Sequence, residues 1–315
     1  MDCDRIFKIN FNGDLKMEML KNCVLCPRNC GVDRTRTVGF CGATEHIKIA
    51  RAALHFWEEP CISGTKGSGT VFFSGCNLAC QYCQNYKISI GGFGEEITVE
   101  RLGDIFLKLQ NEGAHNINLV TPTPYFPMIM SAIDLVRDRM NIPFIANVGG
   151  YEKPEIIRML KGYIDIFLTD VKYQSSEISK KYSSALDYFE FAMNSLAEMI
   201  SLCGTPKFDD EGIMQSGVIV RHLVLPGFRK DSIEVIRSLA ERFRVEDFIL
   251  SLMSQYTPNE HLEAYPEINR RITSLEYYSV VDAALELDFK NAYMQEKTSA
   301  KTEYTPPFDL TGVKA

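Results

Sequence analysis

The segment GTVFFSGCNLACQYCQN, residues 69–85, joins a short apolar run to a compact loop that holds three cysteines. Residues 69–75 lack a polar face, which is typical of a parallel strand covered on both sides. Cys76, Cys80 and Cys83 follow directly. A loop of this kind can bring three thiolates around one face of an iron–sulfur cube, whose fourth iron then stays open. The segment therefore predicts a buried strand with an iron–sulfur site at its carboxyl end.

Zinc binding and plain packing are the competing interpretations of these three cysteines. A structural zinc ion normally takes four protein ligands, and a catalytic one takes three and a water molecule. The chain has five histidines, and none of them lies in or beside this loop. We therefore favour the iron–sulfur cluster.

The rest of the chain alternates apolar runs with helical patterns. Five further runs predict strands: 116–122, 143–148, 164–172, 218–226 and 248–256. Helical periodicity fills the gaps between them: 99–109, 126–140, 152–161, 187–202 and the residues after Asp231. Six strand–helix units over residues 69–290 predict an α/β fold with a parallel sheet, either an incomplete barrel or a doubly wound sheet. In both architectures, ligands bind at the carboxyl ends of the strands.

Two residue pairs predict the first turns of helices. Asp231 with Glu234, and Thr273 with Glu276, have the spacing of an N-cap residue and the acidic residue three positions later.

The composition bounds the class of protein. The 315 residues are 45% hydrophobic and 24% charged, as in a soluble globular chain. The net charge of −7 offers no general attraction for nucleic acid, so we expect no nucleic-acid partner. No apolar stretch approaches the roughly 20 residues that span a bilayer, so we expect no membrane partner. The charged start of the chain does not resemble a secretion signal, which favours a cytoplasmic location with reduced thiols.

The strand–helix alternation also divides the chain. Residues 1–66 do not follow it and are predicted to form an N-terminal extension with a metal motif. Residues 67–295 are predicted to form the barrel, and residues 296–315 a C-terminal tail.

A second cysteine group lies in the extension, at Cys23, Cys26, Cys30 and Cys41. Four thiolates suit either tetrahedral zinc or an iron–sulfur cluster. Zinc is slightly favoured, because it would staple a segment that is poor in core residues. The other cysteines are interpreted as small core residues: Cys3, Cys61 and Cys203.

The pattern C-x3-C-x2-C, with Tyr82 before its last cysteine, is similar to the signature of the radical S-adenosylmethionine (radical SAM) superfamily. The flanking sequence resembles the glycyl-radical-enzyme activases, typified by pyruvate formate-lyase activating enzyme. The resemblance covers about residues 23–290. Its other motifs are C-x2-C-P-R-x-C, EEPCISGTKGSG, NLVTPTP, DVKY and RHLVLPG.

This resemblance implies a partial (β/α)6 TIM-type barrel, preceded here by the cysteine-rich extension. It implies a 4Fe–4S cluster bound by Cys76, Cys80 and Cys83, and S-adenosylmethionine (SAM) as cofactor. It further implies reductive cleavage of SAM to methionine and a 5′-deoxyadenosyl radical that abstracts hydrogen. The implied partners are a reducing electron donor such as flavodoxin or ferredoxin, and a protein or peptide substrate such as a glycyl-radical enzyme.

The resemblance also assigns residues to SAM. Asp170 and Lys172 share one face of a predicted strand by its period of two, and they match an activase pair at the methionyl group. Arg221 matches an arginine that meets the methionyl carboxylate, whereas the adjacent His222 must face the other way. Four further positions are assigned by their place in the motifs: Tyr82, Thr121, Thr123 and Asn147.

Three of these positions depart from the family pattern. Thr121 and Thr123 stand where radical SAM proteins commonly carry Gly-Gly-Glu. Asn147 stands where an activase has an acidic residue that helps to bind a monovalent cation, and its amide carries no charge.

Two other functions remain open from the sequence. The first is a radical enzyme that modifies RNA or a small metabolite, because residues 23–51 carry five Lys or Arg against two acidic residues. The second is a metal-stapled interaction protein without enzymatic activity.

Overall fold

The computed structural model describes residues 18–295 and 305–314. Its main sheet has the strand order β10-β9-β8-β6-β5-β4-β2-β1-β3, and the short strand β7 pairs with β8. The strands are β1 (Ile47–His55), β2 (Ser68–Phe73), β3 (Glu95–Ile97), β4 (Ile117–Val120), β5 (Phe144–Val148), β6 (Ile166–Asp170), β7 (Lys207–Phe208), β8 (Met214–Leu223), β9 (Ile249–Met253) and β10 (Ala292–Met294).

Helices connect these strands. They are α1 (Pro60–Ser63), α2 (Tyr86–Ser89), α3 (Val99–Asn111), α4 (Phe126–Val136), α5 (Pro154–Met159), α6 (Ser176–Ser183), α7 (Tyr188–Cys203), α8 (Arg229–Arg242) and α9 (Ser274–Glu286). Two 3-10 turns, Thr123–Tyr125 and Arg137–Arg139, flank α4.

The six strands predicted from the apolar runs are confirmed, and they pair in parallel in the order β2, β4, β5, β6, β8, β9. Most are buried on both faces because helices cover the outside and side chains fill the inside. The molecule is therefore an α/β protein with the partial (β/α)6 barrel architecture. Because all six strands run in one direction, their carboxyl ends meet at one mouth.

An antiparallel edge, which the sequence pattern did not reveal, precedes this barrel. Strand β1 pairs with β2 on one side and with β3 on the other. It lies within the predicted extension, where Lys48 and Arg51 interrupt its apolar residues. The boundaries at residues 66 and 295 stay predictions.

The two predicted helix starts have different outcomes. Thr273 and Glu276 form a reciprocal capping box at the start of α9, as predicted. The prediction for Asp231 is wrong, because α8 already begins at Arg229. The Asp231 carboxylate instead accepts hydrogen bonds from the backbone N–H groups of Gln174 and Ser175, at 3.2 and 2.7 Å. The residue type signals a carboxylate that needs N–H donors, but not which segment supplies them.

Helix α1 packs inside the barrel. Cys61 and Ile62 are buried against an apolar layer from four strands, whose members include Ile145, Ile166 and Ile219. These side chains share the face of the sheet that carries Asp170. The layer closes the barrel below its polar mouth.

Residues 305–314 lie along β1. Leu310 donates its N–H to the Ala50 carbonyl, and Arg51 pairs with Asp309 at 2.8 Å. Phe308 is buried against Phe72 on β2. The described end of the predicted tail is therefore part of the packed structure, while residues 296–304 and 315 lie outside the described ranges. Of the helices in those ranges, none combines the length and the apolar character needed to cross a bilayer.

Candidate active site

Charged side chains from adjacent strands meet at the mouth of the barrel. Asp170 ends β6 and lies opposite Arg221 in β8. The Lys172 ammonium is 2.5 Å from the Asp170 carboxylate, and Arg221 Nε is 3.3 Å from it. The structure thus brings together the three residues that the sequence assigned to the methionyl group.

Mutual pairing keeps these three groups ionised. Burial opposes ionisation of Asp170, yet Lys172 and Arg221 hold its pKa below the usual value. Burial likewise opposes the charges of Lys172 and Arg221, yet Asp170 raises the pKa of both. Each side chain keeps 15–18% of its surface exposed, so all three are reachable from the mouth. A carboxylate beside two cations can bind both ends of a zwitterionic amino acid.

The three loop cysteines lie together at the carboxyl end of β2. Burial raises the pKa of Cys76 to about 12, and proximity to Cys80 and Cys83 adds to that shift. Burial, reinforced by Cys80, raises the pKa of Cys83 to about 11. A metal must therefore displace protons to bind these sulfurs, which makes binding pH-dependent.

Each of these sulfurs accepts a hydrogen bond from the protein. Cys76 accepts from the Leu78 N–H at 3.4 Å, and Cys83 accepts from the Ser89 hydroxyl at 3.3 Å. Cys80 accepts from the Ser183 hydroxyl at 3.0 Å. Hydrogen bonds to the cysteine sulfurs of an iron–sulfur cluster help to set its reduction potential.

The donor set fits a cubane better than a single ion. Each thiolate would bind a different iron, so the three sulfurs need not converge on one point. Within residues 18–295 and 305–314, no three His, Cys, Asp or Glu side chains are arranged to hold one metal ion.

Tyr82 belongs to a buried chain of hydroxyl groups. Its OH lies 2.6 Å from the Tyr173 OH, which lies 2.7 Å from Ser183 Oγ. Since Ser183 gives its single proton to Cys80, Tyr173 must donate to Ser183, and Tyr82 to Tyr173. Tyr82 thus supports the cysteine loop from behind.

The remaining predicted SAM contacts are more scattered. Thr121 follows β4 with a φ of +60°, and its N–H donates to the Asn147 carbonyl at 2.9 Å. Thr123 is buried and donates to the Glu152 carboxylate at 2.9 Å, so its hydroxyl is already engaged. The Asn147 side chain accepts from Arg221. His222 is buried on the opposite face, as predicted, with Nδ1 at the Val171 carbonyl.

Sequence reasoning missed a group of polar residues inside the barrel. Glu58, which precedes α1, lies 3.2 Å from Arg221 and accepts from the Asn118 amide at 2.9 Å. The next residue, Glu59, is also buried. Burial raises the pKa of both carboxyls, while Arg221 acts in the opposite direction. The motif EEPC was visible in the sequence, but its place inside the barrel was not.

The N-terminal cysteine segment (residues 18–46) docks on the cysteine loop. Arg28 donates to the carbonyls of Asn77, at 2.8 Å, Ser183, at 2.9 Å, and Ser184. Gly75 must be glycine here, because its φ is +90° and a Cβ would lie 2.5 Å from the Cys41 carbonyl oxygen. The two cysteine groups are therefore held next to each other.

The four cysteines of that segment are mutual neighbours. Burial raises the pKa of Cys26 to about 12, and repulsion from the other three thiolates adds to the shift. Burial also raises the pKa of Cys41. The thiols are close, but to hold one ion they would have to draw together, since the described residues contain no preformed set.

Comparison with known proteins places the chain in a family. Residues 70–240 match the family model described as the Radical SAM superfamily. An uncharacterized protein of Methanocaldococcus jannaschii is 31% identical in an alignment of 287 positions that covers 87% of this chain and 77% of that protein.

Three solved structures are similar at TM-scores of 0.45. Methylornithine synthase is 13% identical, and the match covers 89% of this chain and 75% of that one. A variant of spore photoproduct lyase is 12% identical, with 69% and 73% covered. SuiB of Streptococcus suis, bound to its precursor peptide, is also 12% identical; the match covers 70% of this chain but less than half of SuiB, 46%.

Proposed function

The chain belongs to the radical SAM superfamily, and we propose that Cys76, Cys80 and Cys83 bind its iron–sulfur cluster. Membership indicates an enzyme whose cofactors are a 4Fe–4S cluster and SAM. The observation that supports the ligand assignment is the place of the three thiols. They lie at the carboxyl end of β2, each with a hydrogen-bond donor on its sulfur, at the mouth that also presents Asp170, Lys172 and Arg221.

The cofactors supply the radical chemistry, in which SAM is cleaved to methionine and a 5′-deoxyadenosyl radical that abstracts hydrogen. The protein supplies binding and orientation. Asp170 accepts hydrogen bonds from the amino group of the methionyl moiety, and Lys172 and Arg221 donate to its carboxylate. Thr121, Thr123, Asn147 and Tyr82 shape the surroundings of that moiety, Thr123 through Glu152 and Tyr82 through the cysteine loop.

We infer an activase-like reaction on a glycine of a partner protein or on another peptide. The motif pattern around the cysteine loop supports this substrate class, with an electron donor such as flavodoxin or ferredoxin. We propose that the enzyme works in the cytoplasm, because the cysteines proposed as metal ligands have to stay reduced and the cytosol keeps thiols reduced.

The alternative of RNA modification is less well supported by the positions of the basic residues. Arg34 is 1% exposed, Arg28 donates to carbonyl groups, and Arg51 pairs with Asp309. These three cations are thus engaged within the protein. Family membership indicates an enzyme, so the non-enzymatic alternative is set aside.

For the N-terminal cysteine segment we propose a metal, with zinc slightly preferred over an auxiliary cluster. The four neighbouring thiols and their position beside the cysteine loop support it. Metal analysis distinguishes the two: zinc with about four irons per chain indicates zinc, and about eight irons without zinc indicates two clusters.

Anaerobic reconstitution tests the radical function. The reconstituted protein, given SAM and a one-electron reductant, is expected to form 5′-deoxyadenosine and methionine. Activase specificity would then be tested by a glycyl-type radical signal on a candidate partner, appearing only with SAM and reductant. Failure to cleave SAM would overturn the radical function, whereas cleavage with hydrogen abstraction from RNA or a metabolite would overturn only the activase assignment.

A further inference from the structure

The interior carboxylates, Glu58 and Glu59, lie deeper in the barrel than the charged groups at the mouth. Asn118, which donates to Glu58, is opposite Ile145, and Ile145 is opposite Ile166. Asp170 is four residues further along β6 than Ile166, which is about 13 Å at the rise of a strand. Glu58 therefore reaches from the level of Asn118 towards the guanidinium of Arg221, above the apolar layer around Cys61.

The charges of this interior do not balance. Within residues 18–295 and 305–314, the cations beside Glu58, Glu59 and Asp170 are Arg221 and Lys172, and Lys172 is already paired with Asp170. One carboxylate is therefore left without a cation. A further buried carboxyl beside Lys172, that of Glu152, adds to this excess. A buried charge without a counter-ion is costly unless a partner arrives.

Two buried oxygen atoms of residues next to Glu58 have no hydrogen-bond partner. Glu59 is 9% exposed and Asn118 is fully buried, yet Glu59 Oε2 and Asn118 Oδ1 are both unpartnered. The other Glu59 oxygen is bonded to Ser251, and the Asn118 amide nitrogen is committed to Glu58. The Asn118 amide oxygen can only accept hydrogen bonds, and so can Glu59 Oε2 when its carboxyl is ionised. A water molecule could satisfy them but could not neutralise the excess charge.

We propose that Glu59, together with Glu58 and Asn118, binds a cationic group of the substrate, an ammonium or a guanidinium. Such a group donates several hydrogen bonds and carries the missing positive charge. Glu58, Asp170 and Arg221 each keep 11–15% of their surface exposed, so a ligand that enters at the mouth meets these three residues first. This inference rests on the proposed radical function, for which it narrows the substrate class to molecules or side chains with a basic group.

A pair of matched probes tests the charge requirement without any variant. Binding of n-butylammonium and of the neutral n-butanol to the anaerobically reconstituted protein is measured by saturation-transfer NMR and calorimetry. The cation is expected to bind and the alcohol not. Equal binding, or no binding of the cation, would overturn the inference.

A variant then locates the probe. Glu59→Gln is expected to weaken n-butylammonium about tenfold or more, because the ligand loses its ionic partner. Glu286→Gln, on the exposed surface of α9, is the matched control and should leave the affinity unchanged. An unchanged affinity in Glu59→Gln would remove Glu59 from the site.

Thermal unfolding distinguishes a ligand-binding role of Glu59 from a structural one, because the two roles predict shifts of the unfolding midpoint in opposite directions. Without probe, and at a pH high enough to ionise Glu59, Glu59→Gln is expected to unfold at a higher temperature than the wild type, because an unpaired buried charge has been removed. A lower midpoint would indicate that Glu59 stabilises the fold instead.

SAM also carries an ammonium group, so the titration is repeated with saturating SAM. Retained binding assigns the site to the substrate, and loss of binding would assign it to SAM and overturn the inference. The same preparation is assayed for 5′-deoxyadenosine. If SAM is cleaved but the probe does not bind, this inference is wrong and the radical function stands. If the probe binds but SAM is not cleaved, the radical function is wrong and the cation site stands.

Discussion

The barrel interior and the N-terminal cysteine segment differ in how completely their polar atoms are partnered. In the described residues, the buried side-chain atoms without a partner belong to barrel strands or their connecting loops, and none belongs to residues 18–46. These atoms belong to Glu59, Asn118, Glu152 and His222, and to Arg221, whose Nε has no well-aligned hydrogen bond but still pairs with the Asp170 carboxylate at 3.3 Å. In the segment, by contrast, the buried Arg34 donates to the carbonyls of Thr44 and Pro124. Unpartnered groups are costly, so the Glu59 and Asn118 oxygens inside the barrel mark a part that can receive a ligand, whereas His222 lies on the opposite face of the sheet.

The segment nevertheless reaches the site through one residue. Arg28 donates to the carbonyl of Ser183, whose hydroxyl donates to Cys80. The segment can therefore position the cysteine loop without supplying a ligand to it. Four experiments sharpen this contrast between a reactive site and its support.

The largest expected difference is between the two cysteine groups. Cys76→Ala, Cys80→Ala or Cys83→Ala should abolish the loop cluster and SAM cleavage, because three ligands are needed to hold a cube with one open iron. Cys26→Ala should retain SAM cleavage at reduced stability. Iron content, the visible absorption spectrum and 5′-deoxyadenosine formation are the measurements. A triple loop variant that still binds iron in the loop and cleaves SAM would contradict the ligand assignment.

Variants of Arg28 test whether the N-terminal cysteine segment is docked on the cysteine loop. Arg28→Ala should lower the free energy of unfolding by about 3 kcal/mol, because it removes hydrogen bonds from a charged group to three carbonyls. Arg28→Lys should fall in between, since an ammonium cannot reproduce the fork. Arg36→Ala, on the exposed side of the same segment, is the control and should cost under about 1 kcal/mol. Equal losses in thermal unfolding for Arg28 and Arg36 would show that the segment is not docked in this way.

The pH dependence of stability tests whether the buried Glu152 carboxyl is ionised in the folded protein. Burial raises the pKa of Glu152 to about 7, above its unfolded value. The folded protein therefore binds this proton more tightly, so the contribution to stability is present in acid and is lost as pH rises towards 7. Glu152→Gln should raise stability above pH 7 by at most about 3 kcal/mol, with little change near pH 5. The exposed Glu155→Gln is the control, and a pH-independent effect at Glu152 would refute this charge state.

The smallest expected effect concerns the sulfur hydrogen bonds. Ser183→Ala or Ser89→Ala should lower the midpoint potential of the cluster, because a donor stabilises the added negative charge of the reduced state. One such bond is worth about 1 kcal/mol, or roughly 40 mV for one electron. Tyr173→Phe retains the Ser183 donor and should shift the potential less. Redox titration measures the midpoint potential of each variant. A potential that rises in Ser183→Ala would contradict the role of this hydroxyl as a donor to Cys80.

Local pattern was sufficient for the regular elements of the barrel. The six apolar runs and the Thr273 capping box depend on neighbours in sequence, and both were predicted. Strand β1 was not predicted, because its charged residues interrupt the apolar run. The role of Asp231 was not predicted, because the N–H groups that it accepts from lie in another segment.

The sequence by itself determined the cysteine loop, the parallel strands and the face that carries Asp170 and Lys172, because spacing along one strand or loop sets which side chains can meet. Only the tertiary structure decided that Glu58 and Glu59 enter the barrel, that Arg28 reaches Ser183, and that Glu152 is buried with one carboxylate oxygen lacking a hydrogen-bond partner. These contacts join residues far apart in the chain, and their energies depend on burial, which no local pattern records.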